Sequence, residues 1–184
     1  EKVLVHVGGI SKLRGAVEMV RALEHLEHVE GLRLDLIGRF EYPELERELQ
    51  GQQGYQRVCL FGWLPWESAW ERAQCAFAGI VLFHPGPNHT NSLPNKLFEY
   101  MAAGLPVVAS NFPLWREIVE ANRCGICVDP LNPKEIAGAI EYLITHPREA
   151  RRMGENGRRT VEEKYNWENE GKKLLKLYEE LLKR

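Results

Sequence analysis

Asn91-Ser-Leu-Pro-Asn-Lys-Leu-Phe-Glu-Tyr-Met-Ala-Ala-Gly-Leu-Pro-Val-Val-Ala-Ser110 reads as a loop, a short helix and a buried strand. Pro94 suits a first helical turn, where its missing N–H costs nothing. Gly104 suits the left-handed residue that stops a helix, and Pro106 prevents continuation. Val107–Ser110 is short and opens with β-branched residues, as a buried parallel strand does. Lys96, Glu99 and Tyr100 fall at i, i+3 and i+4 and so share one helix face. Free N-terminal amides, a cation and a carboxylate on that face are the groups a nucleoside diphosphate and its ribose require.

Working outward, strand and helix signals alternate along the chain. Val3–Val7, Leu32–Ile37, Val58–Phe61, Ala78–Phe83, Val107–Ser110 and Gly125–Val128 read as strands. Between them, Leu13, Ala16, Val17, Val20 and Leu23 mark a helix with a core-facing stripe, and Pro43–Gln50 a charged one. Further helices follow Pro65, Leu114 and Pro133. The pattern predicts an α/β fold of Rossmann-like, three-layer α/β/α type, with a mostly parallel sheet of about six strands. Such sheets bind ligands at the C-terminal ends of their strands. Gly8–Arg14, Gly62–Pro65 and His84–Pro94 all follow strands, so they are the candidate ligand loops. Beyond about residue 146 the chain is helical and charged. Leu174, Leu175, Tyr178, Leu181 and Leu182 form an apolar stripe that packs on this domain or on a partner domain.

The 184 residues fit one domain, residues 1–184, with a real hydrophobic core. The 24 basic and 26 acidic side chains are near balance and dispersed, which argues against nucleic acid as a partner. No apolar run reaches membrane-spanning length. The chain opens on Glu1 and enters a strand at once, so an excised piece of a longer protein is expected. Cys124 and Cys127 have metal-site spacing but lack a second pair, and no metal site is expected. All four cysteines read as free and buried. His84 and His89 flank Pro-Gly-Pro and read as loop polarity or substrate contacts.

The Asn91–Ser110 block resembles the donor-binding segment of glycosyltransferase family 4 (group 1), retaining enzymes of the GT-B fold. The usual form there is Glu-Gly-Phe-Gly-Leu-x-x-x-Glu-Ala-Met-Ala-x-Gly-x-Pro-Val-Val. Its second Glu, which binds the ribose, falls on Glu99; its first, which contacts the sugar, falls on Asn91. Gly8-Gly-Ile-Ser-Lys-Leu-Arg-Gly15 is similar to the family's Val-Gly-Arg-x-x-x-x-Lys-Gly, whose Arg and Lys clamp the diphosphate. Gly9 stands at the Arg position and Arg14 at the Lys position, so one expected cation is missing. Lys96 or Lys12 is left to supply it, Lys12 being the weaker candidate as a solvated surface lysine.

The resemblance spans Val3 to about Leu182 and implies the C-terminal half of a GT-B enzyme, with the acceptor-binding domain preceding this chain. Glu99, Arg14 and Lys96 carry the chemistry; Gly8, Gly9, Asn91, Ser92, Leu93 and Asn95 contact the donor, with the base against Trp63 and Leu64. The implied substrate is a UDP- or GDP-sugar, with a hexose-type group passing to a glycan or lipid-linked acceptor without an obligatory metal. A cytoplasmic place, with the inner membrane face as an option, goes with that branch. Alternatives are a nucleotide-sugar epimerase of GT-B fold and a non-catalytic nucleotide-binding or interaction module.

Overall fold

The computed structural model describes residues 2–182. Its strands are β1 (Lys2–Val7), β2 (Leu32–Ile37), β3 (Val58–Gly62), β4 (Ala78–Val81), β5 (Val107–Ser110) and β6 (Gly125–Val128). They form one sheet in the order β3-β2-β1-β4-β5-β6, with every pairing parallel. The helices are α1 (Ala16–Glu24), α2 (Pro43–Gln50), α3 (Trp66–Gln74), α4 (Pro87–Thr90), α5 (Asn95–Ala102), α6 (Pro113–Val119), α7 (Pro133–Thr145), α8 (Pro147–Glu163) and α9 (Trp167–Leu182). Proline opens α2, α4, α6, α7 and α8, where an unpaired N–H would be lost anyway.

Strand pleating sorts the core into two layers. Leu4, Leu34, Leu36, Ile80 and Val108 face α1, α2 and α7. Val5, Ile37, Val81, Val107 and Ala109 face α3, α5 and α6 on the other side. The three-layer architecture read from the alternation of elements is therefore the one observed. Two details differ. Leu13 is not on the α1 stripe: it lies in a 3-10 turn, Lys12–Arg14, and is exposed, because α1 begins only at Ala16. The His84–Pro94 loop also contains α4, and Pro94 sits just outside α5 rather than in its first turn.

Helix α8 crosses close to α5, and two glycines allow it. A Cβ on Gly154 would stand 1.9 Å from the Gly104 carbonyl oxygen, and one on Gly157 would stand 3.3 Å from Met101 and Cys124 atoms. Gly138, inside α7, faces open space. Gly154→Ala should therefore destabilise the fold by roughly 1–3 kcal/mol through overpacking. Gly138→Ala should stabilise it by roughly 0.5–1 kcal/mol, because helical glycine carries only an entropic cost. Urea denaturation of the two variants checks both signs, and two shifts in one direction would contradict the packing described.

Candidate functional site

The strand order reverses direction between β1 and β4, the point at which an open parallel sheet offers a crevice. Pairing between these strands is limited to Leu4 with Ala78 and Val5 with Gly79. Beyond it the strands part, and the Val7 amide donates instead to the Tyr100 hydroxyl at 2.9 Å. Burial pushes that phenol well above its ordinary range, so it stays protonated. A Cβ on Gly79 would meet the Tyr100 ring at 2.3 Å, so glycine there makes room for it. Tyr100 was expected on a ligand-facing helix surface; it is instead the buried tether that fixes α5 against β1.

The loops after β1 and β2 are joined by backbone hydrogen bonds. Gly8 N–H donates to Ile37 O at 2.8 Å, Ile10 N–H to Arg39 O at 2.8 Å, and Glu41 N–H to Ile10 O at 2.9 Å. Approach is so close that a Cβ on Gly38 would lie 1.8 Å from Gly8 O. The result is a cleft of about 710 Å³ along the C-terminal strand ends, lined by Gly8, Gly9, Arg39, Trp63, Trp66 and Lys96 among others. Leu64 lines it too, so Gly8, Gly9, Trp63, Leu64 and Lys96 are brought together as the sequence suggested.

Arg14 reaches the same region from the other side. Its guanidinium lies 5.6 Å from the Phe83 ring centroid, and its Nη1 would be 3.1 Å from a Cβ on Gly9. The space a side chain at position 9 would take is thus occupied by the Arg14 head group. Lys96 Nζ donates to Glu99 Oε2 at 2.6 Å, with both side chains about one-third exposed. Glu99 opens into a narrow recess with Val7, Trp66, Trp70 and Lys96. Lys12, the weaker candidate for the second cation, pairs with Glu48 at 2.7 Å.

The remaining expected donor contacts are dispersed. Asn91 is exposed at the end of α4. The Ser92 carbonyl accepts from the Trp115 indole at 2.6 Å. Leu93 and Asn95 line a second hollow with Tyr165 and Trp167, which Glu99 also borders. His84 Nε2 lies 2.9 Å from Glu18 Oε2, and neither atom has another partner among the described residues. His89 packs on Phe83 and donates from Nδ1 to His84 O at 3.0 Å.

The expectation of four buried thiols holds for Cys124 alone. Cys75 is exposed because it follows the solvent-facing end of α3, and Cys59 and Cys127 are only partly covered. Burial pushes Cys124 up to about 11 and Cys127 up to about 12, so both are protonated thiols at neutral pH.

Arg39, Trp66 and His6 were not singled out in the sequence. A cation immediately after the glycine that ends a predicted strand was the available signal for Arg39. His6 gave none, since it sits inside an apolar strand. It is buried beneath the glycine loop, with Nδ1 3.3 Å from Ile80 O and Nε2 3.5 Å from Gly9 O. Burial lowers its pKa to about 4, with a smaller contribution from the Arg14 and Lys96 charges. Unfolded, the same imidazole takes up its proton near 6.5. Its contribution to stability is therefore fully present above about pH 6.5 and is lost as pH falls towards 4. The shift sets an upper bound of about 3 kcal/mol. His6→Gln should flatten the fall in melting temperature between about pH 7 and pH 4.5. An unchanged pH slope would show that His6 is not the titrating group.

An all-parallel sheet of this order, with a cation-flanked cleft at its switch point, defines a Rossmann-like domain of the kind found in GT-B glycosyltransferases. The chain belongs to the glycosyl transferases group 1, whose family profile matches residues 1–160. An uncharacterized glycosyltransferase of Methanocaldococcus jannaschii is 25% identical over 179 residues, covering 97% of this chain and 45% of its own. Sucrose-phosphate synthase of Thermosynechococcus elongatus superimposes with a TM-score of 0.84 at 25% identity, covering 99% of this chain and 46% of its own. Anabaena HepE, solved with UDP-glucose, gives a TM-score of 0.81 at 17% identity, covering 97% and 48%. The chain thus spans about half the length of each of these three relatives. Among the described residues no helix is long and apolar enough to cross a membrane.

Proposed function

We propose that this chain is the donor-binding half of a retaining family 4 glycosyltransferase. It holds a UDP- or GDP-sugar and presents a hexose-type group to a glycan or lipid-linked acceptor bound by another domain. The observation that carries this reading is the meeting of Arg14, Lys96 and the Gly8-Gly9 backbone at one end of the cleft, with Glu99 one helical turn beyond Lys96. As the glycosidic bond breaks, negative charge grows on the departing nucleoside diphosphate. Arg14 offers a planar fork to phosphate oxygens and Lys96 a point charge, both fixed before the reaction. Groups so preorganised stabilise the transition state more than the ground state. Lys96 engages Glu99 through Oε2, which leaves Oε1 as the acceptor for ribose hydroxyls in this reading.

In this reading the two arginine and lysine cations do the work for which other transferases recruit a metal. The UDP-glucose held by Anabaena HepE supports the substrate class. Every described residue of the α9 stripe is exposed, including Leu174, Leu175, Tyr178, Leu181 and Leu182. The helix therefore does not pack its apolar face on this domain, and the acceptor domain is the partner that would cover it. Work at the cytoplasmic membrane face is part of this reading on the ground of the family branch alone.

A thermal-shift panel of uridine, guanosine and adenosine diphosphates is the first test. Arg14→Ala should weaken nucleoside diphosphates by roughly 1.5–3 kcal/mol and leave nucleosides little changed, since the lost contact is charge-assisted. Glu99→Gln should cost roughly 1–3 kcal/mol with natural nucleotides but nothing with 2′,3′-dideoxy analogues, measured by calorimetry. Equal weakening of the dideoxy ligand would mean that Glu99 acts through folding, and its role here would be withdrawn.

A further inference from the structure

One wall of the cleft is built from a cation and two indoles, Arg39, Trp63 and Trp66. Arg39 follows β2, and its guanidinium lies 5.7 Å from the Trp63 ring centroid. Its backbone is pinned, because Arg39 O accepts from the Ile10 amide at 2.8 Å. Trp66 stacks on Trp70 with centroids 5.7 Å apart and rings 8° from parallel, which fixes the orientation of its indole. Trp63 and Trp66 are 63% and 61% exposed, a large apolar area to leave in water beside a cavity. Trp66 borders both the main cleft and the recess that holds Glu99.

Position separates Arg39 from the phosphate-binding charges. Arg14 and Lys96 stand over the β1–β4 crevice, and theirs is the field felt by His6 below it. Arg39 leans the other way, over the residue that follows β3. In the sheet β3 is two strands from β1, about 9.6 Å. A diphosphate over the glycine loop, with its ribose at Glu99, would carry its base along Trp66 to that wall.

Resting on the donor-binding reading above, we infer that Arg39 is the base-reading residue of this site and selects bases with a carbonyl in place of an amino group at C4 of a pyrimidine or C6 of a purine, uracil or guanine. The indoles supply stacking, which every base can accept and which discriminates little. Guanidinium has only donors, so the base edge it meets must accept. Uracil offers O4, and guanine or hypoxanthine offers O6 beside N7, a pair that matches the fork. Cytosine and adenine put an amino group at the same place, setting donor against donor. When the base closes over Arg39, donor facing donor leaves both groups without the partner that water had given them, which costs the amino bases affinity.

Two isosteric pairs isolate the carbonyl: UDP against CDP, and IDP against ADP. Calorimetry on the 184-residue chain should show each oxo nucleotide binding roughly tenfold or more tighter than its amino counterpart. Comparing UDP with IDP then tells which ring size the wall prefers. In Arg39→Ala the gap within each pair should shrink to about twofold or less, with CDP and ADP little affected. Arg39→Lys, which keeps the charge but not the fork, should fall between. The inference is overturned if wild type does not discriminate within the pairs. It is also overturned if Arg39→Ala weakens all four ligands equally, which would put Arg39 on the diphosphate. Failure of all four to bind would overturn the donor-binding reading itself, an outcome distinct from either.

Discussion

The hydrogen bond from the Val7 amide to the Tyr100 hydroxyl is the contact on which the site geometry depends. Where β1 and β4 diverge, the ladder ends and a buried amide needs another acceptor. A side chain long enough to reach across the gap supplies it, and Gly79 leaves the ring room to lie on the sheet. One contact thus satisfies the backbone, props the crevice open and sets the distance between the glycine loop and α5. Lys96 and Glu99 take their places from the same helix, so their position relative to Gly8 and Gly9 is inherited from that tether.

Charge in the cleft is arranged with little waste. Arg14 lies across the backbone at Gly9, so a single arginine covers the ground on which the family's usual pattern places a second cationic side chain. Glu99 is balanced by Lys96 rather than left bare. Beneath them His6 is kept neutral by burial, which avoids a third positive charge under the loop. Both of its nitrogens face carbonyl oxygens, and a neutral ring can donate to only one of them.

The sheet, its parallel sense and the helices between strands were legible because apolar periodicity and proline or glycine punctuation act locally. Part of the lining of the cleft was legible too, through glycine after β1 and the Lys96–Glu99 spacing on α5. What escaped was decided by tertiary packing. Leu13 looks like part of a helical stripe, yet Gly15, left-handed at φ 69°, breaks the chain before α1. Tyr100 has the spacing of a ligand residue but the environment of a core one. Arg39 becomes visible only when β2 is placed beside β1, and His6 only when a loop is folded over it. Asn95, which opens α5, and Leu93 before it border a second hollow formed with Tyr165 and Trp167, a neighbourhood made only when the chain after α8 folds back beside α5.

Helix α9 has a colloidal consequence. None of its residues is buried, and Trp167, Leu175 and Leu182 are more than three-fifths exposed. Together with Leu174, Leu177, Tyr178 and Leu181, they give a near-neutral chain an apolar exterior strip. Strips of this kind drive self-association, and low net charge offers little repulsion against it. With the strip uncovered, the apparent size of the isolated chain should depend on concentration and on any detergent present, and not on the folded domain alone.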